Sequence, residues 1–213
     1  MPRARRMTAT SGTRQLLDTA LPFRFDAFEH VYLALDTGEE LPHITGMLAH
    51  TGWVDDRWYT ESSRERGSAV HRLTADYDLG AIRDLSSVVS KYSGWLQAHA
   101  DFNARVKPEI LTVEEPSAHA HYRYGGRPDR VARLYGLLSV VEIKSGAPEK
   151  GHQIQTALQA MLTAQEHGDG MPAHMWGRFA LYEKEDGKWF LEQHRARSDF
   201  DEARRVIKVC CGI

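Results

Sequence analysis

Cysteine is scarce in this sequence: the 213 residues contain only Cys210 and Cys211, which are adjacent and almost terminal. A disulfide between neighbouring residues is strained, and two thiols are too few for a four-cysteine zinc or iron–sulfur site. The cysteines therefore exclude a cysteine-based metal cluster. They also indicate a reducing compartment, which we expect to be the cytoplasm.

Long apolar runs are also missing. No stretch of about 18 apolar residues is present, so we expect no transmembrane helix and no membrane partner. The basic start, MPRARR, is not followed by an apolar stretch, which argues against a secretory signal. We interpret residues 1–14 as a flexible basic tail and residues 15–213 as a single domain.

The chain has no large excess of charge of either sign. Its 27 lysines and arginines nearly balance 29 acidic residues, giving a formal net charge of −2. Such a balance neither indicates nor excludes nucleic-acid binding, because a local basic patch can coexist with an acidic site elsewhere. Function must therefore be inferred from local patterns.

The first half of the chain is predicted to be mainly helical. Apolar residues recur every three or four positions in residues 60–77 and again in residues 86–106, where Pro108 follows. A shorter helix is expected around residues 44–48. Residues 28–35 are compatible with either a strand or a short helix.

The second half changes to the two-residue period of strands, and residues 137–144 form its most apolar segment, as expected for a buried central strand. A helix between strands predicts an α/β or α+β sandwich. In chain order we predict strands at 110–114, 119–124, 129–134 and 137–144 with a turn at 125–128, a helix at 152–167, and a hairpin of 178–182 and 188–194. Ser198 or Asp199 is expected to cap a last helix that extends to Val209.

One group of charged residues in this half of the chain is typical of a catalytic or metal-binding site. Glu142 and Lys144 lie two apart on a predicted strand, so they share one face while Ile143 points to the other. If that strand pairs with the one before it, Asp129 lies within reach of both. Converging carboxylates suit Mg²⁺, to which the Ile143 carbonyl can add a ligand. Lys144 can orient the attacking water or lower its pKa.

The alternative is that Glu142 and Lys144 form the solvent-facing rim of an edge strand. A charged pair at the end of an otherwise apolar strand is costly, however, unless the charges are paired or bound to metal. Further motifs are therefore needed to decide between the two interpretations.

Those motifs are similar to the PD-(D/E)XK nucleases. GRPDR at 126–130 and VEIKSG at 141–146 resemble their core, and more narrowly the RecB-like branch, which includes phage exonucleases and CRISPR-associated nucleases. GSAVH at 67–71 matches the branch's GxxxH helix motif. Glu114 or Glu115 falls where the branch keeps an additional acidic residue, and we favour Glu114. Gln155 matches the glutamine of QxxxY, although Gln159 replaces its tyrosine.

The resemblance covers residues 60–164 and implies a restriction-endonuclease-like core, a mixed central sheet flanked by helices, with N-terminal helices as one wall of a DNA groove. It implies one or two Mg²⁺ or Mn²⁺ ions and no iron–sulfur cluster. The implied metal ligands are His71, Glu114, Asp129, Glu142 and Ile143. The implied catalytic residues are Asp129, Glu142, Lys144 and Gln155. The expected DNA contacts are Arg66, Arg72, Arg127 and Arg130, each of which is also compatible with a solvated surface.

The implied activity is metal-dependent DNA exonuclease action in phage or prophage recombination or repair, in a bacterial or phage-infected cell. Two alternatives stay open: a structure- or site-specific endonuclease on the same core, and a catalytically inactive DNA-binding or assembly protein. Because no helicase motif is present, we expect a stand-alone nuclease module. The partners that such enzymes use are DNA ends, a strand-annealing or single-strand-binding protein, and further copies of the same chain.

Overall fold

A mixed five-stranded sheet organises the protein. The computed structural model describes residues 22–55, 57, 59–88, 90–167 and 170–213, so the predicted tail at 1–14 lies outside the described residues. The strand order is β10-β9-β8-β7-β4, in which β8 and β9 run parallel and the other neighbours are antiparallel. The strands are β4 (Glu109–Val113), β7 (Arg130–Leu134), β8 (Leu137–Lys144), β9 (Gly177–Glu183) and β10 (Trp189–Gln193).

Helices cover both faces of this sheet, which confirms the predicted mixed sheet flanked by helices. One face packs against α1, α4 and α5, and the other against α2 and α3. A helix must separate the parallel strands β8 and β9, and α4 is that crossover. The helices are α1 (Ile44–His50), α2 (Glu61–Asp78), α3 (Ser93–Val106), α4 (Gly151–His167) and α5 (Ser198–Cys211).

Strand β8 is buried on both sides because each of its faces meets a different core. Val140 packs into the core beneath α4, whereas Val141 and Ile143 pack into the core beneath α2 and α3. The two-residue period of a strand therefore directs Glu142 toward α4. This position is 3% exposed, so β8 is a central strand and not an edge with a solvated rim.

Two small sheets dock the N-terminal segment onto the core. Tyr32 packs so closely on Gly125 that a Cβ there would lie 2.4 Å from the ring, which explains the glycine. His43 forms a parallel bridge with Gly125, three residues before Pro128. The strands are β1 (Phe23–Asp26), β2 (Val31–Ala34) and β3 (Glu40–Leu41) in one sheet, and β5 (Ser117–Ala118) with β6 (Gly125–Gly126) in the other.

Three local predictions are wrong. Residues 119–124, expected as a strand, form a turn because His119 Nδ1 accepts hydrogen bonds from the amides of His121 and Tyr122. The expected turn at 125–128 instead begins with β6. The helix expected over 86–106 begins only at Ser93, after a 3-10 turn at Leu85–Ser87.

The last helix also departs slightly from expectation: it begins at Ser198, and Arg197 is its N-cap without a side-chain hydrogen bond, so neither Ser198 nor Asp199 caps it. The ambiguous segment 28–35 contains strand β2. Among the described helices, none combines the length and apolar character needed to cross a membrane.

Candidate metal centre

The β7–β8 hairpin places Asp129 beside Glu142 and Lys144, as the strand alternation predicts. Arg130 pairs with Val141 in the hairpin, which brings the residue before it level with the end of β8. The Ile143 amide donates a 2.6 Å hydrogen bond to Asp129 Oδ2. Asp129 is thus fixed by backbone, while the Ile143 side chain lies in the core on the opposite face.

His71 and Glu114 come to Asp129 from separate elements. His71, on α2, places Nδ1 at 3.2 Å from Asp129 Oδ1 and 3.7 Å from Glu114 Oε1. One ligand atom from each of the three residues lies within 4.8 Å of the other two. Glu114 follows β4 with φ of 46°, in the left-handed region, whereas Glu115 is exposed. The geometry therefore favours Glu114, as the sequence analysis did.

Glu142 is held by a polar network from β8 and α4. Lys144 Nζ donates to Glu142 Oε1 and Gln155 Oε1, both at 2.9 Å, and Gln155 Nε2 donates to Glu142 Oε1 at 2.6 Å. Gln159 Nε2 donates to Glu142 Oε2 at 2.5 Å. Gln155 and Gln159 are one helical turn apart and so reach the same carboxylate. Because both oxygens of Glu142 are hydrogen-bonded here, its role as a metal ligand stays a prediction.

The electrostatics of the centre are set by buried carboxylates close together. Burial disfavours a charged His71, but the carboxylates of Asp129, Glu114 and Glu142 outweigh burial and raise its pKa to about 10. Burial likewise disfavours a charged Asp129, yet His71 and Lys144 hold its pKa below the usual value. Burial and the neighbouring Asp129 raise the pKa of Glu142. The site thus needs compensating positive charge.

The donor set suits a hard divalent cation. Glu114 Oε1 is buried and has no hydrogen-bond partner among the described residues, which leaves a lone pair for a ligand. Carboxylate oxygens are preferred by Mg²⁺, and the His71 imidazole suits Mn²⁺. These residues therefore fit the expected Mg²⁺ or Mn²⁺, which would supply the positive charge that the buried carboxylates require.

The centre opens onto two connected spaces. A cavity of about 250 Å³ is lined by Asp129, Glu142, Gln155 and Gln159, and a groove of about 870 Å³ lies beside it. His71, Arg127 and Lys144 line both spaces. The reactive groups are thus reachable from a groove much larger than the cavity.

Three of the four expected DNA-contacting arginines lie on the groove: Arg66, Arg72 and Arg127. Arg66 Nε donates to Ser145 Oγ at 3.4 Å, and Arg127 forms a 3.1 Å ion pair with Glu114 Oε2. Arg127 therefore connects the groove wall to the candidate metal ligands.

Arg130 does not lie on the groove, and the prediction that it contacts DNA is wrong. It is 3% exposed and points to the α2–α3 face of the sheet. Its Nε donates to Asp78 Oδ2 at 2.5 Å, and its Nη1 donates to the Asp129 carbonyl at 2.6 Å. Since Asp78 ends the helix that carries His71, one guanidinium links that helix to the Asp129 peptide.

A buried polar network continues behind Arg130. His99, on α3, lies 2.9 Å from Asp78 Oδ2 through Nε2 and 2.7 Å from Glu183 Oε1 through Nδ1. Asn103 donates to the other Asp78 oxygen at 2.6 Å. Burial opposes charge on His99, but the two carboxylates prevail and raise its pKa to about 9. The network fixes α2, α3, β7 and β9 relative to one another.

Three residues that line the small cavity have no role assigned from sequence: His30 and His43, and Gln159, which was noted only as the replacement for the motif tyrosine. Gln159 could have been found, because it lies one turn after Gln155 on the same helix face. The histidines carry no such signal, since they reach the cavity through the docking of a separate N-terminal sheet.

Comparison with protein-family models gives no match, and comparison with curated proteins gives no significant match. The likeness to the nucleases therefore depends on the motifs and side-chain geometry of this chain.

Proposed function

We propose that the protein is a Mg²⁺- or Mn²⁺-dependent deoxyribonuclease of the PD-(D/E)XK type, in the RecB-like branch, that degrades DNA from its ends. The biological role that we propose for this activity is phage or prophage DNA recombination or repair. The observation that carries the proposal is convergence: α2, the end of β4 and the β7–β8 hairpin bring together five motif residues, four of which line the small cavity while Glu114 lines the arginine-rich groove beside it. These residues are His71, Glu114, Asp129, Glu142 and Lys144.

The burial of the Glu142–Lys144 pair supports this proposal over a solvated surface pair. The Glu142 side chain is 4% exposed and the Lys144 side chain 20%, on a strand with neighbours on both sides. Burying an ion pair costs desolvation free energy, and replacing it by apolar residues is often neutral or stabilising. A chemical role explains why such a pair stands in the central strand.

Within the proposed reaction, His71, Glu114 and Asp129 would hold the divalent ion, and Glu142 and the Ile143 carbonyl are its expected further ligands. When bound, this ion supplies Lewis-acid stabilisation of the phosphate charge and lowers the pKa of water. Lys144, fixed by Glu142 and Gln155, orients the attacking water and offsets negative charge at the phosphate. The attacking water loses a proton to solvent as its oxygen bonds to phosphorus, and the sugar oxygen whose bond to phosphorus breaks leaves and takes up a proton from solvent.

The groove supplies the substrate contacts in this proposal. Arg66, Arg72 and Arg127 can each neutralise a phosphate, which gives affinity without sequence preference. Their position on α2 and beside Asp129 directs the backbone of a bound strand toward the cavity. DNA affinity is therefore expected to fall steeply as salt concentration rises.

The test is digestion of end-labelled linear DNA and covalently closed circular DNA with Mg²⁺, Mn²⁺ or EDTA, beside a Glu142→Ala/Lys144→Ala variant. Metal-dependent loss of linear DNA alone, absent in the variant, is the expected result, and the position of the label gives the polarity. Cleavage of the circle would favour an endonuclease. No cleavage of either substrate in any metal would refute the nuclease and favour a DNA-binding protein.

A further inference from the structure

Two histidines outside the nuclease motifs line the same small cavity as Glu142. His30 ends the turn between β1 and β2 with φ of 55°, a left-handed conformation that is uncommon outside glycine. Asp26 Oδ1 shapes this turn by accepting hydrogen bonds from two of its amides. His43 is the N-cap of α1 and is bridged to Gly125. The N-terminal sheet thus holds both imidazoles against the reactive centre.

The two rings meet nearly at right angles and form one wall of the cavity. His30 meets His43 edge to face with ring centroids 5.3 Å apart, and its other ring neighbours are Phe25 at 5.4 Å and Tyr32 at 6.0 Å. His30 remains exposed, so the ring has a free surface on which another ring can stack. Aromatic side chains of this kind bind nucleobases without requiring a particular sequence.

This wall is neutral. Partial burial of each imidazole is the main cause that lowers the pKa of both His30 and His43. His43 Nδ1 accepts a hydrogen bond from the Gly46 amide, which fits the tautomer with its proton on Nε2. A neutral imidazole offers a hydrogen-bond donor and a stacking surface but adds no charge attraction for phosphate.

Gln159 adds an acceptor without a partner. Gln159 is 2% exposed and lines the cavity, and its Nε2 donates a hydrogen bond to Glu142. Its Oε1 is buried and has no hydrogen-bond partner among the described residues. A buried acceptor left unpaired destabilises the folded state unless a ligand or water satisfies it. The cavity therefore combines a stacking ring, a neutral donor and an unused acceptor.

We propose that this cavity is a subsite for the nucleobase at a DNA strand end, which stacks on His30 and hydrogen-bonds to His43 and Gln159. The proposal rests on the nuclease function and specifies its substrate as an end whose last base is unpaired. The neutral hydrogen-bonding groups and the flat ring of His30 suit a base, whereas Arg127 and Lys144, which line the same cavity and the groove, suit phosphate. At about 250 Å³ the cavity suits one nucleoside and not a base pair.

A base inside a duplex must be unstacked before it can enter such a cavity, and unpairing costs least where pairing is already absent. The subsite therefore favours ends over internal positions. This gives a structural reason for end preference that the motif residues alone do not provide.

The test compares linear duplexes whose terminal nucleotide, at the 5′ or the 3′ end in separate substrates, carries either a base or an abasic analogue. Binding is measured by anisotropy in Ca²⁺, and kcat/KM in Mn²⁺. For the wild type we expect the base to improve binding and kcat/KM about 10-fold at the processed end, a typical effect of stacking one base. In His30→Ala this preference falls to near unity, because the stacking surface is removed.

Two further variants keep the test independent of folding. His43→Asn retains an N-cap side chain on α1 and is expected to lose part of the preference. His121→Ala removes an exposed histidine outside the cavity and is expected to keep the full preference. Equal binding and equal rates for base and abasic ends in the wild type would overturn the subsite and leave the nuclease intact. Base-dependent binding without cleavage in any metal would refute the nuclease and retain the subsite.

Discussion

Replacing His99 by glutamine is expected to remove a pH-dependent part of the protein's stability. His99 lies between Asp78 and Glu183, 1% exposed, and these carboxylates raise its pKa from 6.5 to about 9. A raised folded-state pKa means that protonation favours folding. The contribution is fully present below pH 6.5 and is lost as pH rises through 9. At about 1.4 kcal/mol per pKa unit, the loss amounts to about 3 kcal/mol.

The assay is urea unfolding of the wild type and His99→Gln, without metal, at intervals from pH 6 to 9.5. His71 also has a raised pKa and contributes a decline of the same sign, so the informative quantity is the difference between the two proteins at each pH. We expect this difference to shrink by about 3 kcal/mol across the range. His50→Gln, at an exposed position, is the control. A difference that stays constant with pH would refute a charged His99 in the folded protein.

Three further predictions concern the metal, the sheet and the groove. Glu114→Gln weakens Mn²⁺ binding, measured by calorimetry, by at least about 10-fold, because loss of a residue that only hydrogen-bonds to a metal ligand already has such an effect. Glu115→Gln leaves the Mn²⁺ affinity unchanged. Equal Mn²⁺ affinities of the two variants would show that Glu114 is not a ligand. Arg130→Met lowers the free energy of unfolding by about 3–5 kcal/mol, because it removes one partner of a buried ion pair, and an unchanged urea midpoint would contradict this. Arg72→Ala reduces the slope of log Kd for DNA against log salt concentration by about 0.9, the value for one lost phosphate contact. Arg83→Ala, which lies outside the groove, leaves the slope unchanged. An unchanged slope in Arg72→Ala would exclude a phosphate contact of Arg72.

The parts of the fold that sequence could predict are those fixed by local periodicity. Strand β8 was predicted at its observed limits because its apolar run has no competing signal, and α2 because Thr60 precedes a regular apolar stripe. The strand expected at 119–124 was wrong because the His119 side chain, not the alternation of bulky residues, determines the backbone there. Periodicity does not report such side-chain capping of a turn.

The same distinction explains the candidate site. The placement of Glu142 and Lys144 on one face follows from strand geometry, so it was predictable. Arg130 was misplaced because a charged residue beside a motif is ordinarily assigned to the surface. Its partner Asp78, and His99, which binds the same carboxylate, come from two separate helices. Contacts of this kind depend on tertiary packing, which a single sequence does not encode in any local pattern.

The central claim is that Lys144 and its neighbours hydrolyse DNA with the help of a divalent ion. The most direct measurement is the single-turnover cleavage rate of linear DNA in Mn²⁺ for Lys144→Ala beside Lys150→Ala, an exposed lysine outside the site. DNA affinity in Ca²⁺ and thermal stability are recorded for both variants. We predict that Lys144→Ala is slower by about 100-fold or more, with DNA affinity nearly unchanged, and that Lys150→Ala matches the wild type. Cleavage by Lys144→Ala at the wild-type rate would contradict the account.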